Sequence, residues 1–90
     1  MQKKIVYTIF ASEDILNIFY YVSEDSSTRA KKFVERLITK IDNLKLFSNI
    51  GIKIDENKYI LVIDKNYYIK YRVEKNTIYI LTIRNVKNLH

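Results

Sequence analysis

The chain has 90 residues, 48% of them hydrophobic and 29% charged, which is enough apolar material for one core and too little length for two domains. Sixteen Lys and Arg against ten Asp and Glu leave a net charge of +6, so the far field attracts polyanions or acidic proteins. With no Cys and a single His, His90, neither a disulfide framework, a thiolate zinc site nor a histidine cluster can form, and no metal is expected.

Residues Lys3 to Phe10 are β-branched and aromatic (Ile5, Val6, Tyr7, Thr8, Ile9, Phe10) and suit a strand. The same stretch has the cationic start and apolar run of a secretory leader. Thr8 interrupts that run at its short limit, however, so a cytoplasmic protein is expected. No run approaches the roughly 18 apolar residues of a membrane span. Ser12, followed by Glu13 and Asp14, reads as a helix N-cap with acids facing the positive end of the dipole. Ile15, Leu16, Phe19 and Val22 then recur at helical spacing, and the helix is expected to end near Glu24.

Asp25, Ser26 and Ser27 offer caps for a second helix, in which Ala30, Phe33, Val34, Leu37, Ile38, Ile41 and Leu44 keep helical period. The short polar link predicts an antiparallel hairpin whose shared apolar side needs a flat surface to cover it. Gly51 falls just beyond, where a left-handed turn residue is expected. Three β-rich runs follow, Lys58 to Ile63, Tyr67 to Glu74 and Thr77 to Arg84, separated by polar turns, and they read as a meander. In the second run Ile69, Tyr71 and Val73 alternate with Tyr68, Lys70 and Arg72, giving one apolar and one basic face. Both alternate sets of the third run are largely apolar, which suggests a strand covered on both sides. The fold class is α+β: an N-terminal strand, a helical hairpin and a three-stranded antiparallel meander in one sheet, as a single domain over residues 1–90.

A single glycine excludes both the dinucleotide fingerprint and the phosphate loop, which need several. No cofactor is therefore expected. The carboxylate pairs Glu13-Asp14, Glu24-Asp25 and Asp55-Glu56 are sequence neighbours that point in different directions, and the first two fit helix ends better than acid–base work. The positive features are basic. Arg29, Lys32, Arg36 and Lys40 form a ridge on the second helix, either a solvated face relieved by Glu35 and Asp42 or a docking surface for an acidic protein or a phosphate backbone. Tyr68, Lys70 and Arg72 share a strand face that would suit nucleic acid if the ring stacks bases, although tyrosine also simply favours strands.

The order of these elements resembles the RelE/ParE superfamily of toxins from type II toxin-antitoxin modules, over nearly the whole chain. The resemblance is carried by residues 12–22, by Ala30-Lys31-Lys32-Phe33-Val34-Glu35-Arg36-Leu37, by Gly51, by Tyr67-Tyr68-Ile69-Lys70-Tyr71-Arg72-Val73 and by Ile80-Leu81-Thr82-Ile83-Arg84. It implies a growth-inhibiting protein neutralised by a cognate antitoxin, acidic and partly disordered when free, which is expected to lie over the hairpin or to add a strand to an open sheet edge; the ridge makes Arg29, Lys32, Arg36 and Lys40 the partner-binding candidates. In the RelE-like branch the resemblance implies metal-independent mRNA cleavage on the ribosome by a set of cations. Here the two strand lysines expected of that branch fall near Tyr59 and Leu61, and its arginine near Tyr68. Lys58, Arg72, Arg84 and His90 are what remains for such chemistry. The ParE-like branch, which poisons DNA gyrase by protein contact, needs no cleavage residues and is matched more closely through Asp14-Ile15 and Tyr71-Arg72-Val73. In that case Arg72, Arg84 and Lys87 are the target-binding candidates.

Overall fold

The first helix is capped four residues before the expected serine. Thr8, in extended backbone, accepts a hydrogen bond from the Ala11 amide at 3.2 Å, so it, and not Ser12, is the N-cap. A threonine inside a β-rich run is read as strand by propensity, but its hydroxyl also serves as a cap wherever the chain leaves the sheet. The computed structural model describes residues 2–88. Within it the elements are β1 (Lys4–Tyr7), α1 (Ile9–Ser23), α2 (Ser27–Asn43), β2 (Ile52–Lys53), β3 (Lys58–Val62), β4 (Tyr67–Val73), β5 (Thr77–Asn85) and a short 3-10 turn, Val86–Asn88. Ser26 caps α2 through the Arg29 amide, one of the three caps expected there.

The strands form one sheet in the order β1-β5-β4-β3-β2. β3, β4 and β5 make the anticipated antiparallel meander, while β1 runs parallel to β5, from Lys4 opposite Thr77 to Tyr7 opposite Ile80. The two-residue β2 pairs with β3 and is too short to show any period in sequence. A register shift between Lys70 and Tyr71 skips Leu81, which realigns β4 against β5 without moving Ile69 and Tyr71 out of the interior.

Both helices lie on the same side of the sheet. Ala11 of α1 and Phe33, Leu37 and Ile41 of α2 join Leu44, Ile63, Ile69, Tyr71, Ile78, Ile80 and Ile83 in one core. Burying eight large side chains almost completely, Tyr71 and Leu37 among them, contributes roughly 1.5–3 kcal/mol each. The third β-rich run is therefore covered by helices on one face only. Its other face, Tyr79 included, is half-buried beneath strand side chains, with the Arg72 guanidinium 4.6 Å from the Tyr79 ring centre. Lys70 and Arg72 lie on this open side as expected, but Tyr68, flanked across the strands by Val62 and Arg84, is only 8% exposed. That leaves too little ring surface to stack a base.

Gly51 does not adopt a left-handed conformation. What it needs is room: a Cβ there would stand 2.7 Å from the Ile60 carbonyl oxygen and 2.8 Å from the Tyr71 hydroxyl. That hydroxyl accepts from the Gly51 amide at 3.1 Å and donates to the Ser48 carbonyl at 2.9 Å, tying the loop after α2 to the core. Burial raises the Tyr71 phenol pKa, the Gly51 amide opposes the rise, and Tyr59, stacked at 5.4 Å, adds to it. Replacing a glycine of ordinary φ by alanine normally stabilises by about 0.4–1 kcal/mol. Gly51→Ala is expected to do the opposite, costing about 1–3 kcal/mol in urea unfolding as the Tyr71 anchor is displaced; a neutral or stabilising result would show that the close approach is not limiting.

Candidate functional site

Four cations that the sequence assigned to two separate surfaces line one cleft. Arg29, Lys32 and Arg36 project from α2, and Lys87 reaches the same space from the turn after β5. The spacing of three and four residues places the α2 set on one helix face. The cleft, of about 480 Å³, is closed by Tyr21 and Val22 of α1, Phe33, the β3–β4 turn at Asp64 and Asn66, Tyr67 and Asn85. Its floor is aromatic, Phe33 and Tyr67 packing at 5.0 Å between ring centres. Lys40, the fourth residue of the ridge, lies outside the cleft, in the last turn of α2, where a cation faces the negative end of the helix dipole.

Two carboxylates, neither of them expected in this role, moderate the charge. Arg36 donates to Asp64 at 3.1 Å, while Arg29 lies 3.9 Å from Asp25 with both side chains well exposed. Glu35 forms no ion pair among the described residues, and Asp42 pairs with Lys45 at 3.7 Å. The predicted relief of the ridge by Glu35 and Asp42 is thus replaced by relief from the link and from the sheet. A linear reading misses Asp64 because the partner is 28 residues away. Lys32 and Lys87 have no ion-pair partner among the described residues, so the cleft keeps an excess of positive charge. Burial, followed by Tyr21 and Asp64, raises the Tyr67 pKa, which keeps the phenol neutral at the cleft floor.

Asp14 carries the second correction. Because α1 is capped at Thr8, its first turn contains no acid and Asp14 falls one turn later. Its carboxylate, 17% exposed, accepts from the Ile83 amide at 3.0 Å and lies 3.7 Å from Arg84 Nε. It is a tether between helix and sheet and not a dipole partner. Arg84, on β5, is therefore held beside a carboxylate of α1, three residues before Lys87.

Of the remaining cations, two are cross-strand neighbours and one lies apart. Lys58 and Arg72 face each other across β3 and β4, whereas Arg84 pairs with Tyr68, roughly 13–17 Å further along the strands. Each has an acid beside it. Lys58 is 3.9 Å from Asp55, and Arg72 Nε is 3.1 Å from Glu74, off the line a hydrogen bond requires, so that buried N–H has no well-directed acceptor. His90 lies outside the described residues. The cations proposed for phosphate cleavage thus do not converge, and of the three target-binding candidates Arg84 and Lys87 are near neighbours while Arg72 is distant.

The family described as "ParE toxin of type II toxin-antitoxin system, parDE" matches residues 5–89. The chain belongs to this family. Its fold is also that of a solved structure, "Chromosomal ParDE TA system from P. aeruginosa", with a TM-score of 0.79, 22% identity, and coverage of 94% of this chain and 97% of that one. No curated protein sequence matches. The α+β hairpin-on-sheet architecture is that of ParE, and the family makes this chain a toxin of a type II toxin-antitoxin system. Among the described residues no helix is long and apolar enough to cross a membrane.

Asp64 does more than meet Arg36: its other oxygen accepts from the Asn66 and Tyr67 amides at 2.8 and 3.1 Å, which shapes the β3–β4 turn. Asp64→Ala is expected to cost about 1–3 kcal/mol by leaving those amides without an acceptor, whereas Arg36→Ala, losing only a partly exposed pair, costs under ~1 kcal/mol. Equal losses in urea unfolding would mean that the ion pair, and not the turn, is what Asp64 contributes.

Proposed function

We propose that this single-domain toxin acts in the cytoplasm by binding DNA gyrase through protein contact, and that a cognate antitoxin neutralises it by laying an acidic segment in the α2 cleft. Family membership supports the toxin role. The observation that carries the choice of target is that Arg84 lies far along the strands from the Lys58–Arg72 pair and that each of the three has a carboxylate beside it. Metal-independent cleavage of RNA needs cations gathered around one phosphate to stabilise its developing charge, together with a base for the 2′-hydroxyl. A protein–protein contact has no such requirement.

On this reading Arg84 and Lys87 form the main target-binding element, with Arg72 a separate contact. The antitoxin is recognised by the residues that face the cleft, Arg29, Lys32 and Arg36, while Lys40 contributes to the long-range field. Electrostatic attraction brings the acidic segment in, and the Phe33–Tyr67 floor gives it apolar surface to cover.

Purified toxin is expected to inhibit gyrase supercoiling at micromolar concentration and to leave translated mRNA intact, with Arg84→Ala and Lys87→Ala each weakening inhibition by roughly tenfold. Degradation of mRNA in a translating extract with supercoiling untouched would reject gyrase and establish the ribosome-dependent ribonuclease.

A further inference from the structure

The register shift in the sheet decides what lies beside Arg72. β4 and β5 pair one to one from Tyr67 opposite Asn85 to Lys70 opposite Thr82, and Leu81 is then skipped, so that Tyr71 faces Ile80 and Arg72 faces Tyr79. Had the pairing run on unshifted, Arg72 would face Ile80. Residues paired across two strands share a face of the sheet, so Ile80 would then lie on the open side and Tyr79 in the core. The extra residue turns β5 over. Ile78, Ile80 and Ile83 are all buried although their spacing breaks strict alternation, and the Tyr79 ring is delivered to the open face next to Arg72.

Arg72 is held there on two sides. Its guanidinium carbon lies 4.6 Å from the centre of the Tyr79 ring, within the range of a cation–π contact. Nε faces Glu74 Oε1 at 3.1 Å, and the same carboxylate oxygen accepts from Asn57 Nδ2 at 3.3 Å. Nε is buried while the side chain as a whole is 36% exposed. The polar groups left to solvent are therefore the two Nη nitrogens, a planar fork that matches a carboxylate bidentately. Because Glu74 sits off the line of a hydrogen bond to Nε, it neutralises the arginine without fixing the plane of the guanidinium. The ring does that.

We infer that Arg72 is a preorganised fork for a single carboxylate of the target protein, and that Tyr79 is the positioning residue that aims it; this rests on the reading that the toxin acts by protein contact with gyrase. An arginine that is already ordered in the free protein loses less freedom when it binds. Lys70, on the same face, and Lys4, which faces Thr77 two residues from Tyr79, have no ion-pair partner among the described residues, so an incoming acid meets a surplus of positive charge despite Glu74. With its own charge largely met by Glu74, Arg72 acts at short range. It slows dissociation and adds little to long-range steering.

The test combines dissociation kinetics on immobilised gyrase with the Arg72 Nε–H resonance of the free, isotope-labelled toxin, for wild type, Tyr79→Phe, Tyr79→Leu, Arg72→Ala and the double variant Tyr79→Leu/Arg72→Ala, with urea unfolding to establish that each is folded. The Nε–H signal is expected to be ring-shifted and slow to exchange in wild type and Tyr79→Phe, and to move toward that of a free arginine in Tyr79→Leu. Tyr79→Phe, which keeps the ring, is expected to dissociate within about twofold of the wild-type rate, whereas Tyr79→Leu and Arg72→Ala each dissociate roughly tenfold faster. The double variant is expected to be no worse than Arg72→Ala, because the ring acts only through the arginine. A folded Tyr79→Leu variant with the wild-type signal and rate, or effects that multiply in the double variant, overturns the positioning role. Gyrase binding that Arg72→Ala leaves unchanged overturns the fork. A wild type that does not bind gyrase rejects the target reading and the fork with it, an outcome distinct from the other two.

Discussion

The structure depends on how the upper half of β5 satisfies its backbone once β1 has stopped. β1 ends opposite Ile80, yet β5 continues to Asn85, and unpaired amides and carbonyls along a half-buried strand each cost on the order of 1–3 kcal/mol. α1 supplies the missing partners. The Thr8 hydroxyl donates to the Ile80 carbonyl at 2.7 Å while also capping the helix, and Asp14, a turn and a half further on, takes the Ile83 amide. One residue thus ends a strand, starts a helix and holds that helix against the sheet, and a second residue six positions later fixes its orientation.

Function is placed by the same geometry. With α1 locked along β5, α2 crosses the strands so that Phe33, Leu37 and Ile41 face inward and Arg29, Lys32 and Arg36 border the cleft toward the β3–β4 turn. The end of β5 carries Lys87 to the other wall. Lys87, one of the three target-binding candidates, therefore meets Arg29, Lys32 and Arg36 at a single opening, while Arg72 and Arg84 lie outside it. The open face of the sheet, where Arg72 lies under Glu74 and across Tyr79, is by contrast already internally compensated.

Much of this was legible in the chain, and the misses have physical causes. α2 was readable in full because its apolar period runs uninterrupted for four turns and Ser26 is a conventional cap. The meander was readable because polar turns separate runs of strand formers. The start of α1 was misplaced because Thr8 lies in a β-branched run and its capping role depends on where the strand leaves the sheet. That misplacement carried Asp14 with it, turning a tether into a presumed dipole partner. Gly51 was correctly singled out for the wrong property: crowding by Ile60 and Tyr71 is a tertiary fact with no local signature. Among the site residues, cation spacing on α2 predicted Arg29, Lys32 and Arg36 together, but Asp64, Tyr67 and Lys87 join them only through long-range packing.

The central claim, that the acidic partner sits in the cleft and not on the open face of the sheet, is tested most directly by amide hydrogen exchange of the toxin with and without its antitoxin. Slowed exchange is expected at residues 64–67 and 85–87, which form the sheet side of the opening. Unchanged exchange at those positions, with protection confined to residues 58–62 and 68–72, would place the partner on the opposite face and contradict the account.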